Sequence, residues 1–141
     1  MTSEPVDQQY PGQRLGLPPT GPGAVAGWGR RVLALGIDWA LSLLAVGAFV
    51  GQDVWTGAGG AGWAPLVVFA LEVWILTALL GSSAGQLVTG VVVRRTSGEP
   101  LDPWRTLART VLICLVIPPV IYNSDQRGLH DLAVDSVAVR R

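Results

Sequence analysis

Two acidic residues lie inside long apolar stretches of this sequence. Asp38 is the only charged residue between Val32 and Val50, and Glu72 is the only one between residues 64 and 80. A carboxylate that faces lipid costs ~2.5–3.5 kcal/mol on insertion scales, so each must face protein, water or a partner charge. Each is therefore a candidate ion- or proton-binding residue. The alternative is a buried polar anchor that fixes helix packing through hydrogen bonds.

Basic residues occur near these acids in the sequence. Arg31 precedes Asp38 by seven positions, which places both residues on one line of a helix, ~10 Å apart along its axis. Arg109 lies at the start of a third apolar run and could tune the charge of the two acids, as could Arg31. We therefore include Arg31 and Arg109 in the candidate site.

The spacing of His130, Asp131 and the neighbouring acids matches no standard zinc or calcium pattern. The sequence also lacks a G-x-S-x-G turn and a phosphate-binding loop. It therefore predicts no bound metal, no cofactor and no enzymatic activity.

Three apolar runs predict membrane segments at about 32–50, 64–80 and 106–122. The first two have the length of an α-helix that crosses a hydrocarbon core of ~30 Å. The third contains roughly 13 apolar residues, short for a span, and is interrupted by Pro118 and Pro119. It could cross the membrane or re-enter it, and the sequence leaves both alternatives open.

The arginines predict the orientation of the first two segments. Three precede the first segment, none lies in the loop that follows it, and four lie between residues 94 and 109. The positive-inside rule places the N-terminus and the 81–108 loop in the cytoplasm. In such a hairpin, Asp38 and Glu72 lie ~10 and ~13 Å from the same membrane face. They could share a proton or bind a cation, or they could face different neighbours and never meet.

The composition bounds the class of protein. Of 141 residues, 50% are hydrophobic, 14% are charged, and the net charge is zero. Soluble domains carry about 25% charged residues, so this composition favours one membrane domain in the lipid bilayer and excludes nucleic acid as the implied partner. Residues 1–27, rich in proline and glycine, predict a disordered tail, and residues 28–141 form the membrane domain.

Short strands are predicted in the cytoplasmic part of the chain. Residues 88–95 read V-T-G-V-V-V-R-R, and the C-terminal end reads S-V-A-V-R-R. The two strands could pair only if both lie on the same membrane face. The predicted fold is an all-α membrane protein with two full transmembrane helices, a short third membrane segment and these short β-strands.

Several motifs together resemble the RDD family of small prokaryotic integral membrane proteins. They are R-R-V-L-A-L-G-I-D with Arg31 and Asp38, G-S-S-A-G-Q-L-V-T-G-V-V-V with Gly85 and Gly90, and R-G-L-H-D with Asp131. The resemblance adds Asp131 to the candidate site, with His130 beside it as a supporting residue. The chain departs from the family at Gln86, where a lysine is common. The resemblance implies a multi-pass protein of the prokaryotic plasma membrane and suggests transport of unknown ligands, with sodium–proton exchange in some members.

Two functional hypotheses remain. In the first, the protein is an ion- or proton-coupled transport component that uses Asp38 and Glu72. In the second, it is an accessory or assembly protein whose buried charges are structural pairs. Two or three helices enclose little space, so a homo-oligomer or another membrane protein is expected as partner. The small residues Gly36, Ala40, Gly47 and Gly51 give the first helix a face for such contact.

Overall fold

The structure, a computed structural model, describes residues 7–57, 62–115 and 125–141. The predominantly helical fold agrees with the predicted class. Its principal elements are α1 (Trp28–Val50), α2 (Asp53–Thr56), α3 (Ala64–Leu80), α4 (Ala84–Thr89), β1 (Val91–Arg95), α5 (Pro103–Cys114), α6 (Leu129–Ala133) and β2 (Ser136–Arg140).

Helix α1 matches the first predicted membrane segment. It has 23 residues and, within the described ranges, it is the one helix long and apolar enough to cross a membrane. Its buried residues recur every four positions, at Ala34, Asp38, Ser42 and Val46, so one narrow stripe faces the rest of the protein. This stripe, rather than the face carrying Gly36, forms the internal contact.

Helix α3 has the bounds of the second predicted segment, and it is shorter than α1. Its 17 residues are apolar, and it ends at Gly81 in the left-handed conformation. A second full transmembrane helix therefore stays a prediction. The third predicted segment, 106–122, is described only to residue 115, where α5 has ended; residues 116–124 lie outside the described part of the chain.

The two predicted strands pair with each other. β1 and β2 form an antiparallel sheet in which Val92 faces Val139 and Val93 faces Ala138. The predicted first strand began too early, because Val88 and Thr89 belong to α4. A capping box starts that helix and Gly90, at φ 70°, ends it, so extended structure begins only at residue 91.

Residues 7–27 differ from the predicted disordered tail. Ala26 donates its backbone N–H to Ala138 (2.9 Å), and Arg140 donates its own to Ala24 (2.8 Å). Leu15 and Leu17 pack against the valines of the sheet. The physical reason is that β2 offers backbone partners on the edge away from β1, and an extended proline-rich segment can use them. Residues 1–6 lie outside the described part.

Apolar surface is distributed unequally between the sheet and the long helices. Val91 and Ala138 are completely buried, whereas Leu44 of α1 and Leu79 of α3 are 64% and 75% exposed. Large exposed tryptophans lie at or near the helix starts, at Trp28, Trp63 and Trp104. Apolar helix faces bordered by tryptophan are typical of proteins in a bilayer.

Candidate functional site

A buried carboxylate, Asp131 of α6, joins two arginines from distant elements. Arg109 of α5 donates Nε–H to its Oδ1 at 2.9 Å, and Arg31 of α1 donates from Nη1 to its Oδ2 at 3.0 Å. Ser136 donates its hydroxyl to Oδ1 at 3.1 Å. The Asp131 side chain has no exposed surface, and that of Arg109 is 3% exposed. These contacts bring together three of the predicted site residues.

The charges around Asp131 keep it ionised. Burial alone would raise its pKa, but the Arg109 guanidinium, His130 and Arg31 lower the pKa to about 2. His130 Nε2 lies 3.5 Å from Asp131 Oδ1. A carboxylate buried this deeply is stable in the charged form only because cationic partners and hydrogen bonds surround it.

Arg31 also binds backbone carbonyls of the N-terminal segment and of β2. Its Nε–H donates to the Ala26 carbonyl at 2.9 Å, and Nη2 donates to the Ala138 carbonyl at 3.2 Å. The partner of Arg31 across the fold is thus Asp131, whereas Asp38, two turns along the same helix, has different partners. One guanidinium ties the start of α1 to β2 and α6.

Asp38 binds the start of helix α4. Its Oδ2 accepts the Ser83 hydroxyl at 2.6 Å, and its Oδ1 accepts the Gly85 N–H at 2.5 Å. Ser83 and Gln86 form the capping box of this helix. Gly85 must be glycine here, because a Cβ would lie 2.0 Å from the Ala34 carbonyl oxygen. The absence of a side chain lets α1 and α4 approach closely enough for the hydrogen bond to form.

Glu72 reaches the same helix end from α3. Its Oε1 accepts the Ala84 N–H at 2.8 Å, and its Oε2 has no hydrogen-bond partner. Asp38 and Glu72 therefore bind consecutive backbone N–H groups, of Gly85 and Ala84. The structure brings the two acids to one place, as a helical hairpin predicts. Whether they bind a cation or share a proton stays a prediction.

A cavity of about 180 Å³ extends from Arg31, Arg109 and His130, which surround Asp131, to Asp38. Apolar side chains from α1, α3 and α5 form much of its wall, and Arg31 and Arg109 contribute to its polar side. The described lining residues are Trp28, Arg31, Val32, Ala34, Leu35, Asp38, Phe69, Val73, Ser83, Gln86, Arg109, Ile113 and His130.

Three further residues complete these contacts, and the sequence analysis did not select them as site residues. Ser83 and Gly85 bind Asp38, and Ser136 binds Asp131. The sequence does contain a signal for Ser83. A serine followed three residues later by a glutamine, here Gln86, is the pattern of a capping box at a helix start. Ser136 carried no comparable signal.

Metal binding receives no support from the described residues. In the ranges 7–57, 62–115 and 125–141, no group of three or more His, Cys, Asp or Glu side chains could hold a metal ion. The Asp131 carboxylate already accepts hydrogen bonds from two arginines and a serine.

The comparison with protein families agrees with the motifs. No curated protein and no solved structure gives a significant match to the chain. The model of the RDD family matches residues 25–135, a range that contains Arg31, Asp38 and Asp131 and covers most of the sequence. The protein therefore belongs to the RDD family, a family of membrane proteins whose function is poorly defined.

Proposed function

We propose that this chain is a non-enzymatic accessory or assembly protein of a prokaryotic plasma membrane, in which the buried charges are structural. One observation carries the proposal: Arg31 and Arg109 both bind the Asp131 carboxylate at 2.9–3.0 Å, and these contacts join α1, α5 and α6. A carboxylate engaged in this way holds the three helices in fixed relative positions and is poorly available to a passing cation.

The proposed topology is multi-pass, with the N-terminus, the sheet and the C-terminus in the cytoplasm. Arginines flank the sheet side of both α1 and α3, and the loop between these helices contains none. β1 pairs with β2, and paired strands must lie on one side of a membrane. The chain then crosses the bilayer an even number of times.

The proposed partner is a second copy of the chain or another membrane protein. A Cβ added at Gly36 of α1 would meet nothing within 4 Å, and Ala40, one turn later, is exposed. Small residues on a lipid-facing helix surface allow a second helix to approach closely. This face is separate from the stripe that contains Asp38.

Flux in liposomes tests the proposal against transport. We expect proteoliposomes with folded wild-type protein to carry sodium and proton flux no greater than empty liposomes. We also expect Asp131→Asn to lower the melting temperature and the yield of any complex, while Asp135→Asn, which alters a half-exposed carboxylate, leaves both unchanged. Flux that disappears in a folded Asp38→Asn protein would contradict the assembly role.

The second candidate function is proton- or sodium-coupled transport. The observation in its favour is that Glu72 Oε2 has no partner while Glu72 and Asp38 bind neighbouring N–H groups. An unpaired carboxylate oxygen beside a second acid can accept a proton or a cation. In the flux assay, Glu72→Gln would then reduce the flux while leaving the fold intact.

A further inference from the structure

The cavity between α1, α3 and α5 has one polar and one apolar side. Arg31, Arg109 and Gln86 lie on the polar side. Val32 and Leu35 line the cavity and are also 43% and 38% exposed on the outer surface of α1. The cavity is therefore continuous with the apolar face that the helix presents to its surroundings.

An unused charged donor lines this cavity. Arg109 is 3% exposed, and its Nε–H is taken by Asp131, but its Nη1 has no hydrogen-bond partner. A guanidinium stays protonated at any physiological pH and has only donor groups. A buried donor left without a partner costs free energy, so this nitrogen calls for an acceptor, and its residue lines the cavity.

We propose that the cavity binds the phosphate group of an anionic amphiphile, with Arg109 Nη1 as the principal donor and the apolar wall holding the start of an acyl chain. Basic pockets between membrane helices near the cytoplasmic face are typical binding sites for lipid phosphates. This inference rests on the membrane placement proposed above and adds a ligand class to it.

The charges that face the cavity decide where the phosphate sits. At one end of the cavity, Arg31 and Arg109 bind Asp131, and His130 lies beside that carboxylate. Asp38 is at the other end, where Ser83 and Gly85 occupy both of its oxygens. An anion therefore binds at the arginine end, away from the Asp38 carboxylate.

The wall composition favours a lipid over a soluble phosphate. Phe69, Val73 and Ile113 line the cavity together with Val32 and Leu35, and a free phosphate ion gains nothing from such contacts. An acyl chain gains ~0.8 kcal/mol for each CH₂ group that is buried. The cavity also holds a headgroup more readily than a larger solute, because ligand sites for drug-sized molecules commonly exceed ~300 Å³.

Lipid binding to the full chain in detergent micelles tests the proposal. We expect phosphatidylglycerol to bind at least about tenfold more tightly than phosphatidylcholine, equal to ~1.4 kcal/mol, by native mass spectrometry. Leu35→Trp fills the cavity from an exposed position and is expected to abolish this preference. Leu41→Trp is the matched control, because Leu41 is similarly exposed on α1 but does not line the cavity.

A second variant tests the donor itself. Arg109→Lys keeps a positive charge for Asp131 but removes the Nη1 donor. The preference for the anionic lipid is therefore expected to fall. If that variant does not fold, the Leu35→Trp and Leu41→Trp pair still decides the result. Equal affinity of wild type for the two lipids, or a preference that survives Leu35→Trp, overturns the proposal.

Competition identifies the source of the phosphate. Glycerol phosphate that displaces the lipid shows that the headgroup alone suffices and that a soluble phosphate can use the site. No displacement at millimolar concentration supports a membrane lipid as the ligand. Extraction of the protein from membranes only by detergent tests the placement separately, so a failure of the proposed topology is distinguishable from a failure of the lipid site.

Discussion

Replacing Gly85 by alanine tests the contact between α1 and α4 that positions Asp38. The new Cβ would lie 2.0 Å from the Ala34 carbonyl oxygen and 2.9 Å from Asp38 Oδ1. The first neighbour is backbone inside a helix and cannot rotate away. The two helices must therefore separate by roughly 1 Å, because packed interiors leave no slack for closer approach.

The magnitude follows from what this separation removes. The hydrogen bond from Gly85 to the Asp38 carboxylate is charge-assisted, and such bonds contribute ~1.5–3 kcal/mol. Overpacking adds ~1–3 kcal/mol. Alanine in place of glycine returns up to ~1 kcal/mol through its helix propensity. The expected loss in the free energy of unfolding is about 3 kcal/mol, since the first two effects exceed the third.

Thermal unfolding of the purified protein in detergent measures this loss. At ~2–4 °C per kcal/mol for a chain of this size, the melting temperature should fall by ~6–12 °C. Gly29→Ala is the matched control, because it also changes a helical glycine but its Cβ would meet nothing within 4 Å. Equal melting temperatures for the two variants would refute the close approach of α1 and α4.

Three further changes have defined outcomes. Asp131→Asn leaves Arg109 buried without its charge partner and should cost ~3–5 kcal/mol in chemical unfolding, against under ~1 kcal/mol for Asp135→Asn, which changes a carboxylate that is 55% exposed. The pKa of Asp131 is lowered in the folded protein from 3.8 to about 2. Its stabilisation of about 2 kcal/mol is therefore present above pH ~4 and should disappear as the pH falls towards 2 in an acid titration of stability; a flat profile in this range would contradict the pairing. Glu72→Gln should change the melting temperature by no more than ~2–4 °C, because the amide oxygen can still accept the Ala84 N–H.

The position of Asp38 and Glu72 was largely predictable from the sequence. The arginine distribution predicts a hairpin of the first two segments, and the helical rise predicts a similar depth for both acids. The structure places them at consecutive N–H groups of α4. Helix α4 itself was not predicted, because V-T-G-V-V-V resembles a strand, although the capping box at Ser83 marks the helix start.

The partner of Arg31 was not predictable from local patterns. Asp131 lies 100 positions away, and helical geometry offered only Asp38 as a nearby acid. The family motif supplied both residues but no contact between them. The Arg31–Asp131 contact depends on the pairing of β2 with β1. The tertiary fold therefore determines this contact, and the periodicity of the sequence does not predict it.

The two buried aspartates are held by different chemistry, and this difference separates their roles. Asp38 accepts hydrogen bonds from neutral donors, Ser83 and Gly85, and fixes the distance between two helices. Asp131 lies between guanidinium groups. A buried ion pair contributes little net stability relative to apolar residues of similar size. Its role here is to fix the positions of α1, α5 and α6 relative to one another. Arg31 contacts Ala26, Asp131 and Ala138 at once, and a lysine, with a single nitrogen, could not hold the same three groups in place.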